Sequence, residues 1–347
     1  MPESTFDVYS YARRLILPSL ALQNHPFVIQ RPGQGGTSST AWKLSVERGP
    51  SLLVRFFSDL GRARRSATAL KHLERHDLPA PRLKHASLGF MNRFSRGNGV
   101  PRYSTTETWI EGTRALEAPD EAGTALSVAG ILARFHAVTR GRCGPPTLLG
   151  DPRPYAKTTM RLAMGMIHDL QARGTLSPGE ATEATARFNA WMGMLLKQTT
   201  FHLCLNDANR RNFILLKDKS LVAIDVQRVS YEPCAEEVAN ALYHFCRRDE
   251  SLAERFLETY LAAATPSSRE TWRRNGPFFT ALNTLKRLHQ KVAGASAPAH
   301  VPAAPDAQAV VASWKLILTT LPAPPRLWPE PGSAPPEEST ELSRQLM

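Results

Sequence analysis

The clearest chemical pattern in the chain is carried by three residues. Asp207 sits in Leu205-Asn206-Asp207-Ala208-Asn209-Arg210-Arg211-Asn212, so an asparagine follows the aspartate five positions on, and Asp225 closes the run Leu221-Val222-Ala223-Ile224-Asp225. Two short apolar stretches, 213–216 and 221–224, lie between Asn212 and Asp225 and read as a hairpin. A carboxylate can orient an acceptor hydroxyl, while an amide oxygen and a second carboxylate supply the hard oxygen donors that Mg prefers. Phosphoryl transfer from ATP needs such a set, because the protein must position the acceptor and hold metal against the phosphates. An Asp and an Asn at this spacing arise often by chance, and the Asp could simply cap a turn. The weight therefore falls on the hairpin and on Asp225.

The elements that must position these residues can be read from periodicity. Residues 7–22 carry apolar side chains at helical spacing and predict a leading helix, followed by strands over 27–29, 41–46 and 51–57. The loop between the first two strands holds Gly33, Gly35 and Gly36 among hydroxyl residues, so its backbone could approach a nucleotide closely; taken alone it is more often a plain hairpin turn. Arg55, on the third strand, offers a guanidinium that can bind phosphate. Helical spacing over 62–76 stops before Pro79 and Pro81, and a second hairpin over 89–108 would have Gly97 and Gly99 at its tip. After Gly112 helical patterns dominate, over 125–138, 158–171, 178–197, 237–245, 252–263 and 278–292, interrupted only by the strand pair around 213–224. Ten of the 27 prolines fall beyond residue 296, which predicts an extended or disordered tail apart from a helix over 307–320. The reading is an α+β chain with a strand-rich lobe over 1–112, a mainly helical lobe over 113–295 and a Pro-rich tail over 296–347.

The loop and hairpin resemble the aminoglycoside phosphotransferase and choline kinase superfamily, whose usual loop reads His-Gly-Asp, then Asn five residues after the Asp, then Ile-Asp. Two more segments share the likeness: Glu107-Thr-Trp-Ile-Glu-Gly112, where the family joins its lobes, and Leu132-Ala-Arg-Phe-His136, similar to the family's Leu-Ala-x-Leu-His helix. The resemblance implies a protein-kinase-like two-lobed fold with ATP, or another nucleoside triphosphate, between the lobes. It implies Asp207 as catalytic base or acceptor-orienting group and Asn212 and Asp225 as Mg ligands. Gly33, Gly35, Gly36, Arg55, Asn212 and Asp225 would then form the nucleotide site. The long helical insert between His136 and Leu205, and the short path from Asp225 to the helix at Glu237, resemble small-molecule kinases rather than protein kinases. Glu237, or Glu236, stands where the family has a structural aspartate, and His136 is expected to serve the core.

The chain departs from the family pattern at three places. Leu205 replaces the loop histidine, and His202 lies three residues too early to substitute for it. Arg55 replaces the usual lysine. Ser66 stands where a helix normally presents the lysine's partner glutamate, with Glu74 as the alternative in a shifted register. Arg210 and Arg211 read either as contacts for an anionic acceptor or phosphate, or as a solvated surface pair.

The formal charge of +12, from 43 basic and 31 acidic residues, favours anionic partners without choosing among them. No helix-turn-helix, zinc or aromatic RNA motif accompanies it, so nucleic acid is not the expected partner. Four cysteines without paired spacing suit neither a metal centre nor a disulfide scaffold, and the apolar run over 15–22 is too short and interrupted to span a membrane. The expectation is a cytoplasmic, ATP-dependent small-molecule kinase acting on a hydroxyl of a sugar, amino alcohol or aminoglycoside-like compound. The alternative is a catalytically impaired kinase-like protein that binds nucleotide or a partner.

Overall fold

The computed structural model describes residues 8–31, 40–89, 103–246, 249–294 and 321. Its elements fall into two units: Met1–Ser127, Pro145–Leu148 and Leu205–Val229 form the first, and Val128–Gly144, Leu149–Cys204 and Ser230–Met347 the second.

The first unit opens with α1 (Val8–Tyr11), a π turn over Ala12–Ile16 and α2 (Leu17–Ser19), in place of the single regular helix expected there. A five-stranded antiparallel sheet follows: β1 (Phe27–Gln30), β2 (Thr40–Val46), β3 (Ser51–Phe57), β4 (Leu83–Ser87) and β5 (Tyr103–Thr108), in the order β1-β2-β3-β5-β4. Strand alternation puts Leu52, Val54 and Phe56 on one face, where they join Val8, Tyr11, Ile16 and Leu17 in a buried cluster. Each such side chain contributes about 1.5–3 kcal/mol on full burial. The Tyr11 hydroxyl, 2.7 Å from Ser104 Oγ, ties the leading helix to β5.

Between β3 and β4 runs α3 (Leu60–Arg75), capped by Asp59 accepting from the Arg62 N–H at 2.7 Å. Its buried stripe of Ala63, Ser66, Ala67, Leu70 and Leu73 repeats at helical spacing. A small sheet completes the unit, with β9 (Phe213–Leu215) between β6 (Thr113–Arg114) and β10 (Leu221–Ala223). The predicted hairpin over 213–224 is therefore present, and it gains a third strand from the segment after Gly112. The tip of the predicted 89–108 hairpin, with Gly97 and Gly99, lies outside the described residues, as does the tail helix expected over 307–320.

The second unit is mainly helical. It takes most of α4 (Glu121–His136) and contains α5 (Pro152–Ala172), α6 (Pro178–Leu196), α7 (Cys234–Cys246), α8 (Glu250–Ala263) and α9 (Pro266–Gly294). Local chemistry explains the starts. Asp151 caps α5 ahead of two prolines in its first turn, Ser177 and Glu180 form a reciprocal capping box on α6, and Asp249 caps α8. Trp191, Phe188 and Phe278 pack as a buried aromatic group.

Two sequence expectations need correction here. The strands around 213–224 are not the only ones after Gly112: the second unit has its own sheet, β7 (Thr139–Arg140), β8 (Phe201–Cys204) and β11 (Ser230–Glu232), in the order β11-β8-β7. β8 is buried at all four positions and so shows no alternation to read. Helix α9 does not start after Pro277 but runs through it from Pro266. Thr265 Oγ1 accepts from the Ser268 N–H at 3.2 Å, and this cap begins the helix one proline earlier than periodicity suggested.

Candidate active site

β3 and β5 pair with Leu53 opposite Glu107 and Arg55 opposite Thr105. Directly paired residues share a face, so Arg55 and Glu107 are diagonal neighbours on the face opposite Val54 and Phe56. That spacing is within reach of long side chains. The Arg55 Nε–H donates to Glu107 Oε1 at 2.7 Å, and Arg55 Nη1 lies 3.4 Å from Asp225 Oδ1. The Arg55 side chain is 12 % exposed, Glu107 4 % and Asp225 33 %. Burial works to lower the Arg55 pKa, and the carboxylates of Glu107 and Asp225 outweigh it and raise the pKa above its ordinary value. The carboxylate partner of Arg55 thus comes from a strand. Ser66 is buried within α3 and Glu74 is exposed on it, and neither fills that place.

The loop at 205–212 is built from short-range hydrogen bonds. Asn206 has φ +60°, a left-handed conformation that asparagine tolerates better than most residues, in the position where the family has glycine. Its Nδ2 donates to the Arg228 carbonyl at 3.1 Å. Asn209 Nδ2 donates to Asp207 Oδ1 at 2.7 Å and fixes the carboxylate, while its Oδ1 accepts from the Arg211 N–H. Asn212 Nδ2 donates to the Asp207 carbonyl at 2.9 Å, which turns the amide oxygen to the end free to accept or coordinate. The Ile224 N–H donates to the Asn212 carbonyl at 2.8 Å, so the residue before Asp225 is bonded to Asn212 across the hairpin. Asp225 itself has φ +59° and ψ +43°, and Gln227 Nε2 donates to its Oδ1 at 3.2 Å. Left-handed backbone at an aspartate costs about 1–2 kcal/mol and persists where the surroundings hold it.

The structure therefore brings Arg55, Asp207, Asn212 and Asp225 into one connected set, with Glu107, Asn209 and Gln227 as partners that sequence reading did not single out. Gly33, Gly35 and Gly36 lie outside the described residues. Leu205, at the histidine position, is buried. Gly112 lies so close to β9 that an added Cβ would meet Leu215 O at 2.3 Å and Ile214 Cγ2 at 2.7 Å, so only glycine lets this crossing pass.

The reading of Arg210 and Arg211 as a solvated surface pair does not survive. Arg210 is buried, 6 % exposed, and donates from Nη2 to Glu121 Oε2 at 2.7 Å in the first turn of α4, whereas Arg211 is exposed. The buried member is paired with a carboxylate through Nη2, so the two arginines do not act as one solvated pair.

In the second unit, His136 donates from Nε2 to Glu237 Oε2 at 3.0 Å and accepts at Nδ1 from the Tyr260 hydroxyl at 2.8 Å. His202 donates from Nδ1 to the His136 carbonyl at 2.8 Å and meets Thr271 Oγ1 at 3.0 Å. Burial pushes the His202 pKa down to about 4. Cys204 Sγ lies within 4.8 Å of the ligand atoms of His136 and Glu237, yet its thiol donates to the His202 carbonyl, and burial keeps it protonated. These groups form a satisfied core network.

Comparison with known proteins follows the same lines. The chain matches the model of the phosphotransferase enzyme family, APH, over residues 29–278. No curated protein matches it by sequence. An aminoglycoside phosphotransferase from Alicyclobacillus acidocaldarius is similar in structure, with TM-score 0.54 and 16% identity, covering 84% of this chain and 91% of that one. An ethanolamine kinase from Plasmodium vivax is similar with TM-score 0.51 and 12% identity, covering 89% and 84%. A thermostable mutant of aminoglycoside phosphotransferase APH(4)-Ia, solved with ADP and hygromycin B, has TM-score 0.52 and 13% identity, covering 88% and 97%. At such identities the likeness establishes a shared protein-kinase-like fold.

Proposed function

The chain belongs to the phosphotransferase enzyme family, and from that premise we propose that it transfers the terminal phosphoryl group of ATP, or of another nucleoside triphosphate, to a hydroxyl of a small molecule. The observation that carries this reading is the connected set in the first unit: Arg55 against Asp225 at 3.4 Å, and the side chain of Asn212 on the backbone of Asp207 at 2.9 Å.

Each residue then has one task. Asp207, its carboxylate held by Asn209, accepts the hydrogen bond of the acceptor hydroxyl and aligns it for in-line attack on the terminal phosphorus. As the new O–P bond forms, the hydroxyl proton passes to that carboxylate or to solvent, and the leaving diphosphate keeps the electron pair of the broken bond. Arg55 places positive charge where the phosphates sit. Asn212 Oδ1 and the Asp225 carboxylate are hard oxygen donors on adjoining chain segments, a set that fits Mg. When bound there, Mg would neutralise charge on the transferring phosphate. Gly33, Gly35 and Gly36 are assigned to the nucleotide site on the sequence pattern alone.

The similar structures include aminoglycoside phosphotransferases, one of them in complex with hygromycin B, and an ethanolamine kinase, which supports a hydroxylated small molecule as the acceptor class. The net charge of +12 favours a neutral or anionic acceptor over a polycation. The test is ADP release by the purified protein from Mg-ATP across a panel of sugars, amino alcohols and aminoglycosides. Metal-dependent turnover that rises with one acceptor class supports the reading. Absence of turnover with every acceptor, together with no binding of Mg-ADP, overturns it.

A further inference from the structure

Arg55 is held by two carboxylates of different character. Glu107 grips the inner Nε–H at 2.7 Å and is almost fully buried, while Asp225 touches the outer Nη1 at 3.4 Å and is one-third exposed. The guanidinium is rigid and planar, so a partner on Nε sets the direction of the whole fork and leaves the Nη N–H groups aimed forward. The helix that packs behind the sheet, α3, brings no carboxylate to this point, since it has Ser66 inside and Glu74 outside.

We propose that Glu107 is the positioning residue that aims Arg55 at the nucleotide phosphates, and that Arg55 exchanges Asp225 for phosphate when metal-bound nucleotide arrives. The proposal rests on the phosphotransferase reading and deepens it. Two carboxylates, the buried Glu107 and the half-buried Asp225, face one guanidinium, so the cluster carries one excess negative charge that an arriving metal ion would offset. On binding, Asp225 is released to metal and the Nη end of Arg55 to phosphate, while the Nε bond to Glu107 persists. Metal and nucleotide therefore bind with positive coupling through Arg55. Because Glu107 and Arg55 sit on adjacent strands of one sheet, the distance between them is fixed by the β3–β5 register. A carboxylate carried by α3 would instead vary with every shift of that helix, so nucleotide affinity is insulated here from the position of α3.

The experiment is calorimetric titration of Mg-ADP, and of ADP without metal, into the full-length protein and three variants. Glu107→Gln keeps the shape and removes the charge, and it should weaken Mg-ADP about tenfold, the scale of one charge-assisted hydrogen bond. It should also shrink the gain in ADP affinity that Mg provides, and the KM for ATP should rise by a larger factor than kcat falls. Glu107→Asp keeps the charge and should recover part of the loss; it also serves as the readout if the glutamine variant does not fold. Ser66→Ala should leave affinity within about twofold, because the carboxylate that anchors Arg55 comes from β5 and not from α3. Wild-type binding with an unchanged constant in a folded Glu107 variant overturns the assignment of Glu107. A tenfold loss in Ser66→Ala overturns the claim that the strand, not the helix, carries the anchor. A wild-type protein that binds no Mg-ADP overturns the phosphotransferase reading itself.

Discussion

Replacing Gly112 with alanine tests whether the backbone crossing beneath the 213–224 hairpin holds the site in register. The new Cβ would lie 2.3 Å from Leu215 O, 2.7 Å from Ile214 Cγ2 and 3.1 Å from Leu215 C. Carbon contacts normally settle at about 3.5 Å or more, so the overlap exceeds about 1 Å against a carbonyl that cannot rotate away. Leu215 pairs with Thr113 on one side and Leu221 on the other, so either β6 peels off β9 or the hairpin shifts. Peeling forfeits the β6 pairing and the Ala115 N–H bond to the Phe213 carbonyl at 2.9 Å. Overpacking of this kind costs about 1–3 kcal/mol, and each lost hydrogen bond adds about 1 kcal/mol. The expected loss in urea unfolding is therefore about 2–4 kcal/mol. If the hairpin shifts instead, Asn212 and Asp225 move with it, and a displacement of 1 Å costs about 10²-fold in rate. Gly165→Ala is the matched control, because that exposed position in α5 has nothing within 4 Å of its added Cβ. It should stabilise the protein by about 0.5–1 kcal/mol. A Gly112→Ala protein as stable and as active as the wild type would refute the reasoning.

Two further substitution and pH predictions follow from the same geometry. Asn206→Ala should cost about 1–2 kcal/mol, since alanine resists the left-handed backbone and cannot reach the Arg228 carbonyl; Asn206→Gly should stay within about 0.5 kcal/mol of the wild type, because freedom at φ +60° offsets the lost bond. Equal losses in urea denaturation for the two variants would contradict the conformational account. For His202, the folded pKa of about 4 lies below the unfolded value near 6.5, so the unfolded chain takes up the proton first as pH falls. The stability this group confers is complete above about pH 6.5 and drains away toward pH 4, by on the order of 3 kcal/mol. Its imidazole resonance should stay neutral at pH 5.5, and a titration midpoint near 6.5 would show that the ring is not held as described.

The parts of this molecule that sequence revealed are those governed by local rules. Asp207 and Asn212 are five residues apart within one loop, and their contact is made by the loop's own backbone. The strands over 41–46 and 51–57 announce themselves by alternation, and the helices of the second unit by apolar stripes and caps. Glu107 stayed hidden because its bond to Arg55 spans 52 positions and depends on the β3–β5 register, which no periodicity states. Once that register is given, the parity of positions 53, 55, 105 and 107 makes the pair nearly inevitable. Asn209 was legible in principle as an asparagine two residues after an aspartate, a spacing that favours side-chain bonding within a turn. β6 and β7, two residues each, were too short to carry any pattern. Arg210 shows the opposite failure: a cation in a catalytic-looking loop invites a ligand contact, and only the fold reveals that Glu121 already holds it.

The most direct test of the central claim is Asp207→Ala, measured both for Mg-ADP affinity and for phosphoryl transfer to whichever acceptor the panel identifies. Transfer should fall by about 10²–10⁴-fold, the range for loss of a positioned acid–base group, while Mg-ADP still binds within about threefold of the wild type. Full transfer by the alanine protein would contradict the account, as would a loss of nucleotide binding that accounts for the whole effect.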